Sequence, residues 1–426
     1  MKTYALIGTG GRAEFYYGAI ARDFKDTCKL VAFCDSNQTR MDYSNTLLEE
    51  KYDHAVVNTY KAHEFEEMIA KEKPDVIVVT TMDRTHHTYI VKALHLGCDV
   101  VTEKPMTVDA EKCQEIIDAI NETGREVKVT FNYRYAPHNT KIRELILDGA
   151  IGDVFSVNFE WALNTQHGAD YFRRWHRDKR NSGGLLVHKS THHFDLVNFW
   201  LGTSPEMVYA QGGLRYYGKE NAEARGVTDF YQRSHGSEAA KDDPFAIQMA
   251  DNPHLKAMYL DAEKEDGYQR DQSVFGDGIN IEDTLGVMVT YKNKAILNYS
   301  LNAYLPWEGY IVSFNGSKGR IEVNVREQSY INSGGNKEDE GRLKERSIKV
   351  LPMFGKAYEV EVEEGKGGHG GGDPLLLQDL FGTPVEDRFN RAASHVDGAR
   401  SILTGIAGNR SLQTGQAVRV DDLVRF

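Results

Sequence analysis

Over the first 131 residues, short apolar runs alternate with amphipathic stretches, and this alternation constrains the fold more than any other feature of the chain. The runs cover residues 3–7, 30–34, 75–80, 99–102 and 127–131; the helical patterns between them cover 13–24, 38–52, 62–73, 86–96 and 108–123. Parallel strands need a crossover connection, usually a helix. Strand–helix alternation therefore predicts a doubly wound parallel sheet. The runs are apolar almost end to end, as in Val76-Ile77-Val78-Val79, which is the pattern of strands covered on both faces.

The first strand-to-helix turn reads Gly8-Thr9-Gly10-Gly11-Arg12-Ala13, a G-x-G-x-x-A pattern. Gly8 permits the tight turn, Gly10 lets the backbone approach a diphosphate, and Ala13 keeps the helix close to the sheet. The phosphates would rest on the unpaired N–H groups of the helix N-terminus, beside Thr9, Gly11 and Arg12. The next strand ends in an acid, Asp35, placed to accept bonds from ribose hydroxyls and to repel a 2′-phosphate. That favours NAD over NADP, although Arg40 nearby could instead meet a phosphate. Residues 1–131 therefore read as a Rossmann dinucleotide-binding domain.

At the end of the run 99–102 stands Glu103-Lys104-Pro105. Pro105 lacks an N–H, fixes its own φ and disfavours a helical Lys104, so the strand stops and the turn is stiff. Ligands of open parallel sheets bind at such strand ends, although an isolated turn of this kind can equally be a salt-bridged surface feature. The run 75–80 leads into Thr80-Thr81-Met82-Asp83-Arg84-Thr85-His86. The glycine turn, this threonine stretch with Gly97 eleven residues beyond His86, and Glu103-Lys104-Pro105 together resemble the glucose-fructose oxidoreductase/inositol dehydrogenase (Gfo/Idh/MocA) family. The resemblance covers the N-terminal domain and continues more loosely through Tyr133-Arg134 and Ile151-Gly152-Asp153. It implies a nicotinamide-dependent oxidoreductase acting on a sugar, cyclitol or glycoside hydroxyl, with Lys104 beside the nicotinamide and the reacting carbon. It further implies Thr80, Thr81, His86 and Glu103 around the cofactor, and Tyr133 and Arg134 near the substrate.

A second chemical stretch runs from Gly183 through His188-Lys189-Ser190-Thr191-His192-His193-Phe194-Asp195, read as one helix from Gly183 to about Leu201. His188 and His192, four apart, share a face, with Asp195 three further on. His193 points about 100° away, toward core or surface. The family pattern has an aspartate, three residues, then a catalytic histidine. The resemblance puts His192 on that histidine and His188 in the place of the aspartate. Asp195 is the nearby acid that could take the missing part, or it is a structural acid of the helix. Oxidising a secondary alcohol needs a base for the hydroxyl proton, and a histidine titrating near neutrality can serve as one. Lys104 supplies positive charge beside the developing alkoxide, or relays the proton. His188 and His192 also have metal-ligand spacing, but a zincin pair needs Glu directly after the first His, where Lys189 stands. No metal is expected.

Residues 132–426 read as a single α+β domain, an open mixed β-sheet covered by helices on one face. Strand patterns cover 154–163, 283–291, 295–303, 310–315 and 320–326, and helical patterns cover 141–147 and 392–406. Residues 203–282 form a polar, aromatic insertion containing Tyr216, Tyr217, Tyr231, His235, Tyr259 and Tyr268. Structureless stretches of that length are unusual, so part of it is expected to be helical or a lid. Trp161, Trp175 and Trp307, together with these tyrosines, are candidates for stacking on sugar faces. The glycine cluster 365–373 is either a linker or a loop that sets His369 at the mouth of the site. The charged run 336–346 reads as a disordered loop.

With 51 Lys and Arg against 63 Asp and Glu, the net charge is -12, which argues against a nucleic-acid partner. No apolar run reaches the roughly 18 residues that would span a membrane, and the first strand leaves no room for a signal peptide. Cys28, Cys34, Cys98 and Cys113 form no CxxC pair and read as buried free thiols of a reducing compartment. The expectation is a cytoplasmic, homo-oligomeric (dimeric or tetrameric) NAD-dependent dehydrogenase of a sugar, glycoside or cyclitol. Two rivals are a redox-neutral enzyme that keeps NAD bound (an epimerase or an oxidation–elimination glycosidase) and a non-catalytic dinucleotide-binding sensor.

Overall fold

The computed structural model describes residues 1–328, 345–363, 365 and 368–426. Six parallel strands make the first sheet: β1 (Lys2–Ile7), β2 (Cys28–Asp35), β3 (Asn58–Lys61), β4 (Val76–Val79), β5 (Asp99–Thr102) and β6 (Val127–Val129). Their order is β3-β2-β1-β4-β5-β6, so the winding reverses between β1 and β4 and opens a crevice at the strands' carboxyl ends. Helices α1 (Ala13–Arg22), α2 (Gln38–Tyr52), α3 (Phe65–Glu72), α4 (His86–His95) and α5 (Ala110–Thr123) cover the two faces. Ala5, Leu6, Ile7, Val78 and Val79 are fully buried between them. The sequence does not announce β3: Asn58-Thr59-Tyr60-Lys61 is a polar edge strand paired only with β2, with no apolar run to betray it.

The second sheet contains β7 (Val154–Asn164), β8 (Pro205–Gly213), β9 (Thr284–Tyr291), β10 (Ile296–Leu305), β11 (Glu308–Gly316), β12 (Gly319–Gln328), β13 (Glu345–Pro352), β14 (Tyr358–Glu359) and β15 (Val418–Arg419). The order is β14-β13-β12-β11-β7-β10-β9-β8-β15, with β7 and β10 parallel and the other neighbours antiparallel. Alternation decides what faces inward: Val157, Phe159 and Trp161 of β7 are buried, whereas Phe155, Asn158 and Glu160 are exposed. The helix Ser190–Leu201 is buried over most of its length, and the helix His395–Thr414 packs beside it and against β8.

Three expectations change. The single helix predicted from Gly183 to Leu201 is two, Leu185–His188 and Ser190–Leu201, with Lys189 at the junction. The C-terminal helix starts later than predicted, at His395, where Ser394 and Asp397 form a capping box, and runs further, to Thr414, where Gly415 ends it in the left-handed conformation. The insertion 203–282 supplies β8 and then a chain of short helical turns: Lys219–Ala224, Met249–Asp251, Pro253–Leu255, Lys256–Leu260 and Glu263–Asp266. Of the run 336–346, all but the last two residues lie outside the described residues. All four cysteines are buried and free. Among the described residues no helix is long and apolar enough to cross a membrane.

Candidate active site

The β1–α1 turn, the ends of β4 and β5, and the second domain enclose one cleft of about 560 Å³. Gly8 has φ +94°, and a Cβ there would lie 2.7–2.8 Å from the backbone of Thr80 and Thr81, so only glycine lets these strand ends meet. Thr80 Oγ1 donates to the Gly8 carbonyl at 2.6 Å, and Thr85 Oγ1 bonds Thr81 Oγ1 at 2.9 Å. At Gly10 nothing lies within 4 Å of the position of a Cβ, which leaves a cradle at the start of α1. Asp35 Oδ2 accepts from Thr9 N at 2.6 Å and Thr9 Oγ1 at 3.0 Å, while Oδ1 accepts from Asn37 N at 2.9 Å. The same carboxylate lines the cleft beside Ser36 and Arg40. An open glycine cradle at a helix N-terminus and a strand-end carboxylate fit the diphosphate and ribose of a dinucleotide.

The far lip is tied together internally. Arg12 Nε donates to Glu103 Oε1 at 2.5 Å, and that oxygen also accepts from Tyr16 Oη at 2.6 Å. Burial raises the Glu103 carboxyl, but Arg12 and Lys104 outweigh it and hold the group below its ordinary range. His86 sets Nδ1 2.8 Å from the Pro105 carbonyl and Nε2 3.0 Å from that of Thr81. Both ring nitrogens thus face backbone oxygens, and His86 acts as a spacer between the two strand-end turns. Burial lowers its pKa, which keeps the ring neutral. The Lys104–Pro105 peptide is cis.

Across the cleft stand Lys104, His188, His192, His176, Lys189 and His369. Lys104 Nζ donates to the His188 carbonyl at 3.3 Å. Desolvation pushes its ammonium down to about 8, against the pull of Glu103 and Asp83. His188 Nδ1 lies 2.5 Å from Asp83 Oδ2, and the His176 ring is 4.2 Å from that of His188. Trp175 stacks on His176 at 3.6 Å. His192 packs against the Tyr133 ring at 4.8 Å, and its buried Nδ1 has no hydrogen-bond partner among the described residues. Burial, then the charge of Lys104, lowers its pKa well below the ordinary imidazole value, so the ring is neutral at pH 7. Lys189 lines the cleft from a buried position, its ammonium 5.0 Å from the Trp161 ring, and burial lowers its pKa. Among the described residues its ammonium makes no hydrogen bond or ion pair. His369 has φ +50° and sets Nδ1 3.0 Å from both Asp373 oxygens. Gly372 brings this loop in, because a Cβ there would lie 2.1 Å from the Asn132 carbonyl oxygen.

Several residues expected at the site sit elsewhere. Arg134 is buried in a two-pronged pair with Asp195 (2.7 and 2.5 Å) and also donates to Asp397 at 3.0 Å. It is not part of the cleft wall, and Asp195 is thereby engaged and does not partner His192. Trp161 is fully buried, stacked between His193 (3.9 Å) and Tyr310 (5.1 Å), and presents no face to a ligand. Trp307 lies under the Arg326 guanidinium at 5.0 Å. Tyr133 is buried behind His192 and His369 and braces both rings. His193 bonds Tyr299 Oη at 2.6 Å in the core, as its angle on the helix predicts. Among the described residues no group of three or more His, Cys, Asp or Glu could hold a metal.

Residues 2–131 match the family described as "Oxidoreductase family, NAD-binding Rossmann fold", and residues 143–420 match its "C-terminal alpha/beta domain". The chain belongs to the Gfo/Idh/MocA oxidoreductase family. A Bacillus subtilis (strain 168) protein described as "Putative oxidoreductase YteT" is 37% identical over 437 aligned residues, spanning 100% of this chain and 99% of that one. The D-glucoside 3-dehydrogenase of Escherichia coli (strain K12) is 28% identical over 198 residues, 46% of this chain and 53% of that enzyme. Among solved structures, the aldose-aldose oxidoreductase from Caulobacter crescentus, complexed with glycerol, superposes with a TM-score of 0.62. That superposition covers 98% of this chain and 99% of the other at 17% identity, a likeness of fold.

Within this Gfo/Idh/MocA chain, the carboxylate missing from position 188 reappears from the other domain as Asp83, directed at His188 rather than at His192. Sequence reasoning reached Asp83 only as part of the turn before His86. Tyr259 and Tyr268 of the insertion, expected among the stacking candidates, do line the cleft, whereas His176 and Lys189 reach it with no sequence signal that places them there. No local motif marks them, since each arrives from a different element.

Proposed function

We propose that the chain is an NAD-dependent oxidoreductase acting on a secondary hydroxyl of a sugar, glycoside or cyclitol. The observation that carries this reading is the meeting, in one cleft, of the glycine cradle and Asp35 with Lys104 and a neutral His192. The match to a D-glucoside 3-dehydrogenase supports the substrate class. Gly8, Gly10, Gly11 and Asp35 would hold the dinucleotide, whose nicotinamide supplies hydride acceptance and return. His192, neutral at pH 7, accepts the proton of the substrate hydroxyl. The Lys104 ammonium faces the oxygen on which negative charge develops. The Asp83–His188 pair holds one proton beside Lys104, and Lys189 offers three donors to substrate oxygens.

The preference for NAD rests on Asp35 and on Arg40. Arg40 is engaged by Asp266 at 2.6 Å, so the cation that could meet a 2′-phosphate is already paired. The outer face of the second sheet exposes Met207, Tyr209, Met288, Ile296 and Ile311, and supports pairing with a second copy of the chain. The test is NADH formation from NAD with a panel of pyranosides and cyclitols, followed over single and multiple turnovers. Absence of reduction in both regimes across the panel overturns the reading. Reduction in a single turnover without net NADH release points instead to a redox-neutral cycle.

A further inference from the structure

The insertion crosses to the dinucleotide domain and binds it at the corner where adenosine would lie. Tyr259 Oη accepts a hydrogen bond from Gly11 N at 2.9 Å. A hydroxyl can accept and donate at once, so this phenol keeps its own O–H for a ligand in the cleft that it lines beside Gly10. Arg270 lies over the Tyr259 ring at 4.6 Å. Arg174, Arg173 and Arg270 share one carboxylate, Asp170, at 2.7, 3.5 and 3.6 Å. The Nε atoms of Arg174 and Arg270 are buried without a hydrogen-bond partner among the described residues. Surplus positive charge therefore stands directly above the glycine cradle. Burial raises the Tyr259 phenol, but Arg270 and Arg174 outweigh it and hold it below its ordinary value, which strengthens its O–H as a donor.

A few residues on, Glu265 caps α2 from outside that helix, accepting from Gln38 N at 2.7 Å, Thr39 N at 2.8 Å and Lys61 Nζ at 3.0 Å. Asn37 Nδ2 donates to the Ala262 carbonyl at 2.9 Å and to Asp266 at 3.1 Å. Carboxylates at a helix N-terminus are favoured by its unpaired N–H groups and dipole. These contacts join residues more than two hundred positions apart and hold the insertion against the dinucleotide domain at the corner of the cleft lined by Asp35, Ser36 and Arg40.

We propose that residues 253–268 are a buckle over the cofactor, in which Tyr259 is a diphosphate ligand and Glu265 and Asp266 are the clasp that keeps the dinucleotide bound between turnovers. The proposal rests on the reading of the cleft as a nicotinamide dinucleotide site and extends it to a retained cofactor. Release then requires the clasp to open, so the buckle acts on the dissociation rate more than on association.

The test is direct measurement of binding, by titration calorimetry with NAD and by stopped-flow displacement of bound NADH followed by its fluorescence. Glu265→Gln weakens the clasp and is expected to speed NADH release by about tenfold with little change in association. Tyr259→Phe removes one donor to an ionised group and is expected to raise the NAD dissociation constant by on the order of tenfold. Thermal melts of both variants show that they remain folded. Wild-type release rates and affinities in both variants overturn the buckle and leave the dinucleotide reading intact. Failure of the wild-type protein to bind either NAD or NADP overturns both.

Discussion

Asp83 Oδ2 lies 2.5 Å from His188 Nδ1, and the two side chains come from different domains. Burial raises the Asp83 carboxyl well above its usual range and lowers the His188 imidazole well below its own. Each group alone would be driven neutral; together they share one proton beside Lys104. The pair therefore places a shared proton at the seam between the two domains, next to the Lys104 ammonium, whose charge weighs on both groups.

That coupling is open to a double-mutant cycle. His188→Asp sets two carboxylates against each other and lowers kcat/KM by roughly ten- to a hundredfold, the range over which contacting residues couple. Adding Asp83→His restores the pair with its partners exchanged and recovers most of that loss. Steady-state kinetics on the four proteins measure it. Losses that multiply independently show that the contact carries no coupling.

On the proposed function, Lys104, with a pKa pushed down to about 8, is expected to set the alkaline limb of the pH profile. If its ammonium supports the developing alkoxide, kcat/KM for oxidation falls as pH rises through about 8, and in Lys104→Arg the limb moves far to the alkaline side. A rate that rises through the same pH instead makes the neutral amine the base. Stability runs the other way. The folded value lies below the unfolded value of about 10.4, so between the two the unfolded chain holds the extra proton and stability increases with pH.

His192→Ala removes the proposed base and is expected to lower kcat by about 10²- to 10⁴-fold with a smaller change in KM. His369→Ala removes a ring 6.2 Å from it, held by Asp373, and is expected to raise KM. Unchanged steady-state kinetics in His369→Ala would take that residue out of the site.

The dinucleotide half of the cleft was legible because its parts are local. Gly8, Gly10, Asp35 and Lys104 each stand at the end of an apolar run, and strand ends are where an open parallel sheet gathers its ligands. The substrate half was legible only in part: Trp175, His188, His192 and His369 do line the cleft, but its remaining geometry is set by long-range packing. Arg134 reads as a cleft residue by position, yet turns inward because Asp195 and Asp397 approach from two other helices. Trp161 reads as a stacking platform, yet the period-2 alternation of β7 sends it into the core. Within the insertion, the turn Lys256–Leu260 is held by packing on α2, a contact that no local periodicity announces.

The inward turn of Arg134 carries a stability prediction. Asp195→Ala leaves a buried guanidinium with only the partly exposed Asp397, at a cost of about 3–5 kcal/mol, the usual penalty for breaking a buried pair. Thermal or urea unfolding reads the loss. Since Arg134 lies outside the cleft wall, the folded fraction is expected to keep the wild-type KM.

The choice of dinucleotide should turn on Asp266. It holds Arg40 Nη1 at 2.6 Å, and Arg40 Nε donates to the Met258 carbonyl at 3.3 Å, so the guanidinium is pulled toward the insertion and its charge is balanced there. Asp35 stands at the same corner of the cleft, and a 2′-phosphate arriving there meets two carboxylates and an Arg40 whose charge is already paired. Asp266→Ala releases Arg40 and removes one of the two repelling charges, while Asp35 still accepts from the Thr9 amide and keeps the glycine turn in place. The expected result is a shift of about tenfold toward NADP in the ratio of NADP to NAD dissociation constants, superimposed on the looser binding of both that loss of the clasp brings, and greatest at low salt, where a charge pair is least screened. Pairing that change with Arg40→Ala should abolish the gain, because the freed guanidinium is what the 2′-phosphate would find. A gain that survives the loss of Arg40 would assign it to the removed Asp266 charge rather than to the freed guanidinium.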